Sequence, residues 1–172
     1  MSTIIELDAA GLHRHAAGLA HVLRDCVLHG ASVGFLLPCP LEEAQAFWLA
    51  LAPQVARGER LLYAALDADG ALCGTVQLVL CGLPNGRHRA EISKMLVHSS
   101  ARRRGIAQAL MRHALERARA LGRTLVVLDT CTGFPAQTMY EKLGFAVTGI
   151  VPGYAALPDG TLGPATFMHL QL

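Results

Sequence analysis

Charge is scarce in this sequence. Asp, Glu, Lys and Arg make up 16% of its 172 residues, against 52% hydrophobic. That balance excludes a disordered or heavily solvated chain. Long hydrophobic runs are also missing, since no apolar stretch approaches the roughly 20 residues of a membrane span. The start, Met1-Ser2-Thr3, lacks a basic region followed by an apolar one, so no secretion signal and no membrane partner are expected. The five cysteines (Cys26, Cys39, Cys73, Cys81 and Cys131) are odd in number and form no Cys-x-x-Cys pair. Reduced thiols in a cytoplasm are therefore predicted, without a disulfide frame. No repeat, low-complexity tract or linker is visible, and the length predicts one domain over 1–172. His13, His15, His21 and His29 include no pair one helical turn apart, and no Cys or carboxylate cluster completes a site, so no metal is expected.

What charge there is lies unevenly. Ten of the fifteen Lys and Arg residues fall between Arg87 and Arg123. A local basic patch suggests a phosphate-bearing ligand. The net charge of +2 argues against a dedicated nucleic-acid binder.

Periodicity and turn chemistry predict the elements. Thr3–Leu7 reads as a strand, and Ala9–Leu28 as a helix with Leu12, Ala16, Leu19, Val22, Leu23 and Cys26 on one face. Gly30–Pro40 reads as a loop and Leu41–Val55 as one helix. Strands are predicted at Arg60–Leu66 and Ala71–Leu80, joined by the hairpin signal Asp67-Ala68-Asp69-Gly70. Ala90–Val97 is the next strand, Gln108–Leu121 an amphipathic helix closed by Gly122, and Thr124–Asp129 a nearly all-apolar strand. A short helix at Pro135–Leu143 and strands at Phe145–Ile150 and Thr166–Leu172 complete the order, with a loop through Pro152-Gly153 between those strands. The expected fold is α/β, a central mixed sheet with helices on both faces.

The stretch from Lys94 to Ala107, KMLVHSSARRRGIA, carries the most information. An apolar strand runs into a polar turn, three arginines, then Gly105-Ile106-Ala107 and a helix. Unpaired N–H groups and the helix dipole make a helix start of this kind an anion site. Small residues at 105 and 107 allow close approach to the backbone.

Two motifs then give a family resemblance. Arg102-Arg103-Arg104-Gly105-Ile106-Ala107 matches the CoA signature Arg/Gln-x-x-Gly-x-Gly/Ala of the GNAT superfamily of acyl-CoA-dependent N-acyltransferases. Ala136, Tyr140, Gly144 and Phe145 match its second motif, separated from the first by one helix and one strand. Many members have Asn three residues before that Ala; here the position is Gly133. Within the superfamily the chain most resembles the tabtoxin-resistance acetyltransferases, which act on a β-lactam amino acid. That likeness includes Gly30–Phe35, Pro84-Asn85-Gly86, Arg89-Ala90-Glu91, Leu128-Asp129-Thr130, Pro152-Gly153-Tyr154 and Pro158-Asp159-Gly160.

The resemblance implies acetyl transfer from acetyl-CoA to a primary amine of a small molecule by direct attack in a ternary complex. It also implies that the fourth strand splays from the fifth. The backbone of Arg103 to Ala107, including Gly105 and Ile106, would hold the diphosphate, assisted by the side chains of Arg102, Arg103 and Arg104. A backbone N–H at Leu96 or Val97 would polarise the thioester carbonyl. Glu91 or Asp129 would take the amine's proton, or Asp129 would hold the ammonium. Tyr140 would serve the departing thiolate. A thiol has a pKa of about 8.5 and a phenol about 10, so full proton transfer from Tyr140 is uphill by roughly 2 kcal/mol. It therefore either has a lowered pKa or mainly donates a hydrogen bond. Ser32, Phe35 and Tyr154 belong to expected acceptor-side loops, and a homodimer is the assembly common in the superfamily. A non-catalytic acyl-CoA-binding regulatory module is the alternative; it would keep the phosphate loop and lose the acid and base.

Overall fold

The structure, a computed structural model, describes residues 2–172. Its strands are β1 (Thr3–Leu7), β2 (Arg60–Leu66), β3 (Leu72–Leu80), β4 (Arg89–Val97), β5 (Leu125–Cys131), β6 (Ala146–Ala156) and β7 (Leu162–Gln171). The helices are α1 (Ala9–Leu28), α2 (Leu41–Leu49), α3 (Ala52–Ala56), α4 (Ile106–Ala120) and α5 (Pro135–Lys142). One seven-stranded sheet has the order β1-β2-β3-β4-β5-β7-β6. Only β4 and β5 pair in parallel; the other neighbours are antiparallel. The expected mixed sheet with helices on both faces is what forms.

Local chemistry sets these elements. α1 starts where the Asp8 carboxylate accepts the Gly11 N–H at 2.6 Å, supplying one of the acceptors that a helix start lacks. Its apolar stripe joins α2 in a core with Trp48, Leu62, Ala64 and Leu96. The α4 stripe of Leu110, Met111, Ala114 and Ala118 packs on the opposite face, over Val76, Leu78, Ile92, Val126 and Leu128. Two cores on opposite faces fix the sheet between them.

Several expected boundaries differ: most of the shifts are of one or two residues, β7 begins at Leu162 instead of Thr166, and two differences are larger. The single helix over 41–55 is broken into α2 and α3. Pro53 has no N–H to continue the ladder, and its ring disfavours helical geometry just before it. The loop expected through Pro152-Gly153 lies inside β6, whose register to β7 shifts between Val151 and Ala155. β6 is the sheet's edge, where the missing N–H of a proline costs no ladder bond.

The parallel pairing of β4 with β5 is short. It joins Arg89 to Leu125, Ala90 to Val126 and Glu91 to Val127, and stops there. β4 then runs on for six residues while β5 diverges, so the sheet forks. On its other side β4 stays paired with β3, but with one extra residue: Gln77 faces Ser93, whereas Thr75 faces Leu96. Lys94, at φ +49°, lies in this bulge. A bulge reverses the side-chain alternation. Ile92 accordingly enters the core under α4, and Leu96 enters the core under α1.

Candidate active site

The bulge also turns the backbone. The His98 N–H bonds to the Cys73 carbonyl at 2.9 Å, which makes Gly74 and Val97 a non-hydrogen-bonded pair in the ladder. By the antiparallel alternation, the N–H of Leu96 points to β3 and the N–H of Val97 points into the fork. Of the two amides expected to face a thioester, geometry selects Val97; Leu96 is committed to the ladder and to the α1 core.

The fork opens on a cavity of about 400 Å³, lined by Val97, Arg102, Arg103, Gly105, the first residues of α4 (Ile106 and Ala107) and Met139 of α5. In the loop, Arg103 (φ +61°) and Gly105 (φ +78°) are both left-handed. Such turns gather successive backbone N–H groups into a concave anion cradle, here at the start of a fifteen-residue helix. A Cβ placed on Gly105 would meet no atom within 4 Å, so the space above the loop is open to a ligand. The donors, the open space and the basic lining all fit a diphosphate.

The three arginines part company. Arg102 folds back, and its Nε donates to the Val97 carbonyl at 3.2 Å. Arg103 lines the main cavity. Arg104 borders a second recess of about 210 Å³ beside Asp67 and Ser2. The end of α1 grips the same region. Asp25 accepts the Ser99 N–H at 2.6 Å and its Oγ–H at 2.8 Å, and Cys26 Sγ donates to the Val97 carbonyl at 3.5 Å. Burial works against the Asp25 carboxylate, but Ser99, His98 and His29 outweigh it and hold it below the usual range.

Glu91 and Asp129 lie on the α1 and α2 face of the sheet. Glu91 faces Val127 in the last paired row, and Asp129 is the next residue of β5 on that face. Both side chains reach solvent. Loss of solvation, then repulsion from Asp129, push the Glu91 carboxyl above the usual carboxylate range; Arg60, Lys94 and Arg89 oppose this without cancelling it.

Tyr140 on α5 is 5% exposed, packed edge-on to Phe145 with ring centres 5.9 Å apart. Burial, with Asp129 adding, pushes its hydroxyl well above the ordinary phenol range. The lowered pKa that would let Tyr140 act as a full proton donor is therefore not found.

The loops expected on the acceptor side come together over this face. Ser32 Oγ donates to the Ala156 carbonyl at 3.3 Å and the Leu37 N–H to the Pro158 carbonyl at 2.9 Å. These bonds tie the loop after α1 to the β6–β7 hairpin. Phe35 meets Phe47 edge-on at 5.2 Å. Tyr154 meets Phe167 at 5.0 Å, and Phe167 pairs with Asp129. Sequence reading missed Arg60, Gln77 and Phe47 on this face. Arg60, Val79, Glu91 and Val127 form one row across β2, β3, β4 and β5, a relationship no short-range pattern signals. Among the described residues no group of His, Cys, Asp and Glu could hold a metal ion, and no helix is long and apolar enough to cross a membrane.

Known proteins resemble this chain in part of its sequence or in its fold. N-acetyltransferase 8 of Rattus norvegicus is 39% identical over 87 residues, 48% of this chain and 38% of that protein. N-acetyltransferase 8F1 of the same organism is 43% identical over 67 residues, 38% of this chain and 30% of that protein. The chain thus spans about a third of the length of the curated relatives it matches. A GNAT superfamily phosphinothricin acetyltransferase from Sinorhizobium meliloti, solved in complex with AcCoA, shares the fold with a TM-score of 0.79 at 24% identity, over 99% of this chain and 88% of that one. A GCN5-related N-acetyltransferase from Kribbella flavida does so with a TM-score of 0.78 at 23% identity, over 99% and 98%. The model of the acetyltransferase (GNAT) family matches residues 31–145, from the loop after α1 through the fork and α4 to the end of α5, and the chain belongs to that family.

Proposed function

We propose that this protein transfers the acetyl group of acetyl-CoA to a primary amine of a small molecule, by direct attack in a ternary complex. The observation that carries this reading is the fork. Its cavity joins the anion cradle at Arg103–Ala107 to the Val97 amide, and Glu91 and Asp129 stand at the point where the strands part. Acetyl-CoA supplies the activated acetyl group as a thioester.

The chain's own residues then do four things. The backbone at Arg103, Gly105, Ile106 and Ala107 holds the diphosphate, and Arg103 adds charge. Arg102 and Cys26 fix the Val97 carbonyl, which orients the Val97 N–H toward a carbonyl oxygen in the fork. Glu91 takes a proton from the acceptor's ammonium, aided by its raised pKa, and Asp129 holds that ammonium. As the nitrogen–carbon bond forms and the carbon–sulfur bond breaks, the second proton shed by the nitrogen ends on the departing thiolate, and Tyr140 donates a hydrogen bond to that sulfur; its raised pKa suits donation without loss of the proton.

The acceptor we propose is amino-acid-like, an antibiotic or toxin of the kind the tabtoxin-resistance acetyltransferases modify. Ser32, Phe35 and Tyr154 line its approach. We also propose a cytoplasmic homodimer. All five cysteines are free thiols, and β6 is an uncharged edge strand with Val147, Ile150 and Val151 exposed. Nucleic acid and membranes are not among the proposed partners.

The test is thiol release from acetyl-CoA across a panel of amines. Release that depends on one amine class supports the proposal. Acetyl-CoA binding with no release for any amine would point instead to a regulatory acyl-CoA-binding module.

A further inference from the structure

The face that carries Glu91 and Asp129 also carries two cations that these carboxylates do not neutralise. Arg60 stands in the same row as Glu91, separated by Val79. Lys94 lies three residues beyond Glu91, at the bulge. Ion pairs of the described residues join His29 and His98 to Asp25 and Arg57 to Glu59; none joins Lys94 or Arg60 to Glu91 or Asp129.

Each cation is held elsewhere. Arg60 donates to Gln54 Oε1 at 3.0 Å and also to Gln77 Oε1. Lys94 Nζ sits over the Phe47 ring, 5.4 Å from its centre. It also lies beneath the acceptor loop, where a Cβ on Gly34 would be 3.8 Å away. Gln77, fully buried opposite Ser93, has an Nε2 with no partner.

Lys94 and Arg60 are half-buried on this face, and cations drawn out of water without an ion partner lose solvation without gaining a counter-charge. A ligand carrying both signs would satisfy them together. Lys94 also holds a left-handed backbone conformation, φ +49°, which a long side chain rarely adopts and which clusters at functional sites.

We propose that Lys94 and Arg60 form an anion subsite, so that the accepted amine carries a carboxylate or similar anionic group close to its nitrogen. This rests on the acetyltransferase reading above and extends it to the part of the acceptor that does not react. The ammonium lies at Glu91 and Asp129, and the anion lies at Lys94, with Arg60 and the free Gln77 Nε2 beside it. Burial, then the neighbouring Arg60, press on the Lys94 ammonium, and Asp129 and Glu91 oppose this without cancelling it; an arriving anion relieves what remains. An amine without the anionic group leaves both cations unmatched.

The test compares matched pairs: L-leucine with isoamylamine, L-phenylalanine with phenethylamine, and L-lysine with cadaverine. Thiol release from acetyl-CoA gives turnover, and backbone amide shifts in NMR titrations give binding that needs no turnover. In the wild-type protein, the member with the carboxylate should be favoured at least about tenfold in either measurement. Lys94→Met should erase that preference in the binding measurement, bringing the two members of each pair to within about twofold of each other. Equal binding within each pair by wild type would overturn the anion subsite even if acetyl transfer is observed. Preferential binding of the amino acids without thiol release would keep the subsite and reject the enzymatic reading. The wild-type comparison decides the matter even if Lys94→Met does not fold.

Discussion

Asp129 lies one side-chain step past Val127, the β5 partner of Glu91, on the same face of the sheet. The two carboxylates therefore repel, and the repulsion adds to the raised pKa of Glu91, the proposed proton acceptor. Replacing Asp129 by Asn removes it. The Glu91 pKa should fall, and the acid limb of the kcat/KM profile should move to lower pH. A limb that stays in place would separate Glu91 from the ionisation that controls rate.

Glu91→Gln should lower kcat by about a hundredfold or more, the usual scale for a general base, with acetyl-CoA binding unchanged. Comparison of single-turnover rates with the cofactor's Kd makes the check.

The same substitution should affect stability in the opposite direction. A carboxyl whose pKa is raised on folding adds stability below its unfolded pKa and loses that contribution as pH rises through its folded value. At pH 7 to 8, Glu91→Gln should melt higher than wild type. The difference should vanish at a pH below the ordinary carboxylate range. A melting difference independent of pH would mean the effect is packing.

Tyr140→Phe keeps the buried ring against Phe145 and removes the hydroxyl. A hydrogen bond to a charged group is worth about 1.5–3 kcal/mol, so kcat should fall roughly tenfold to a hundredfold. The acetyl-CoA Kd should change by less than about twofold. Unchanged turnover would confine Tyr140 to the core.

Gly105→Ala meets no atom within 4 Å but must hold φ +78°. That conformation costs an L-residue roughly 1–2 kcal/mol. Stability should drop by about that much, and acetyl-CoA affinity should drop further because the methyl group occupies the cradle. Calorimetric titration with acetyl-CoA and with free CoA should show the same loss for both.

Much of the architecture was legible because it rests on neighbours in sequence. The Asp67–Gly70 hairpin, whose Asp67 carboxylate accepts the Asp69 and Ala71 N–H groups, and the Arg102–Ala107 loop both declare themselves within a few residues. The split of 41–55 into two helices depends on Pro53, a local signal that the apolar pattern masked. Pro152 read as a loop because its tolerance inside β6 depends on β6 being an edge, which is a property of the whole sheet. The proposed acceptor face was least legible. Arg60 and Glu91 are 31 positions apart in the sequence and become neighbours only through the β2–β3–β4 register. Which of Leu96 and Val97 faces the fork depends on one extra residue in β4. The turning back of Arg102 and the separation of Arg104 are side-chain choices with no trace in the motif.

That extra residue sets the phase of everything after it. Without it, Leu96 would swing to the layer beneath α4, and the Val97 amide would be spent on β3 instead of facing the gap. Every side chain from Met95 to the polar turn would exchange surfaces. The segment between Ser93 and Leu96 therefore tolerates changes of residue more readily than changes of length. A single-residue deletion there should abolish the proposed acetyl-binding geometry even if every motif residue is retained.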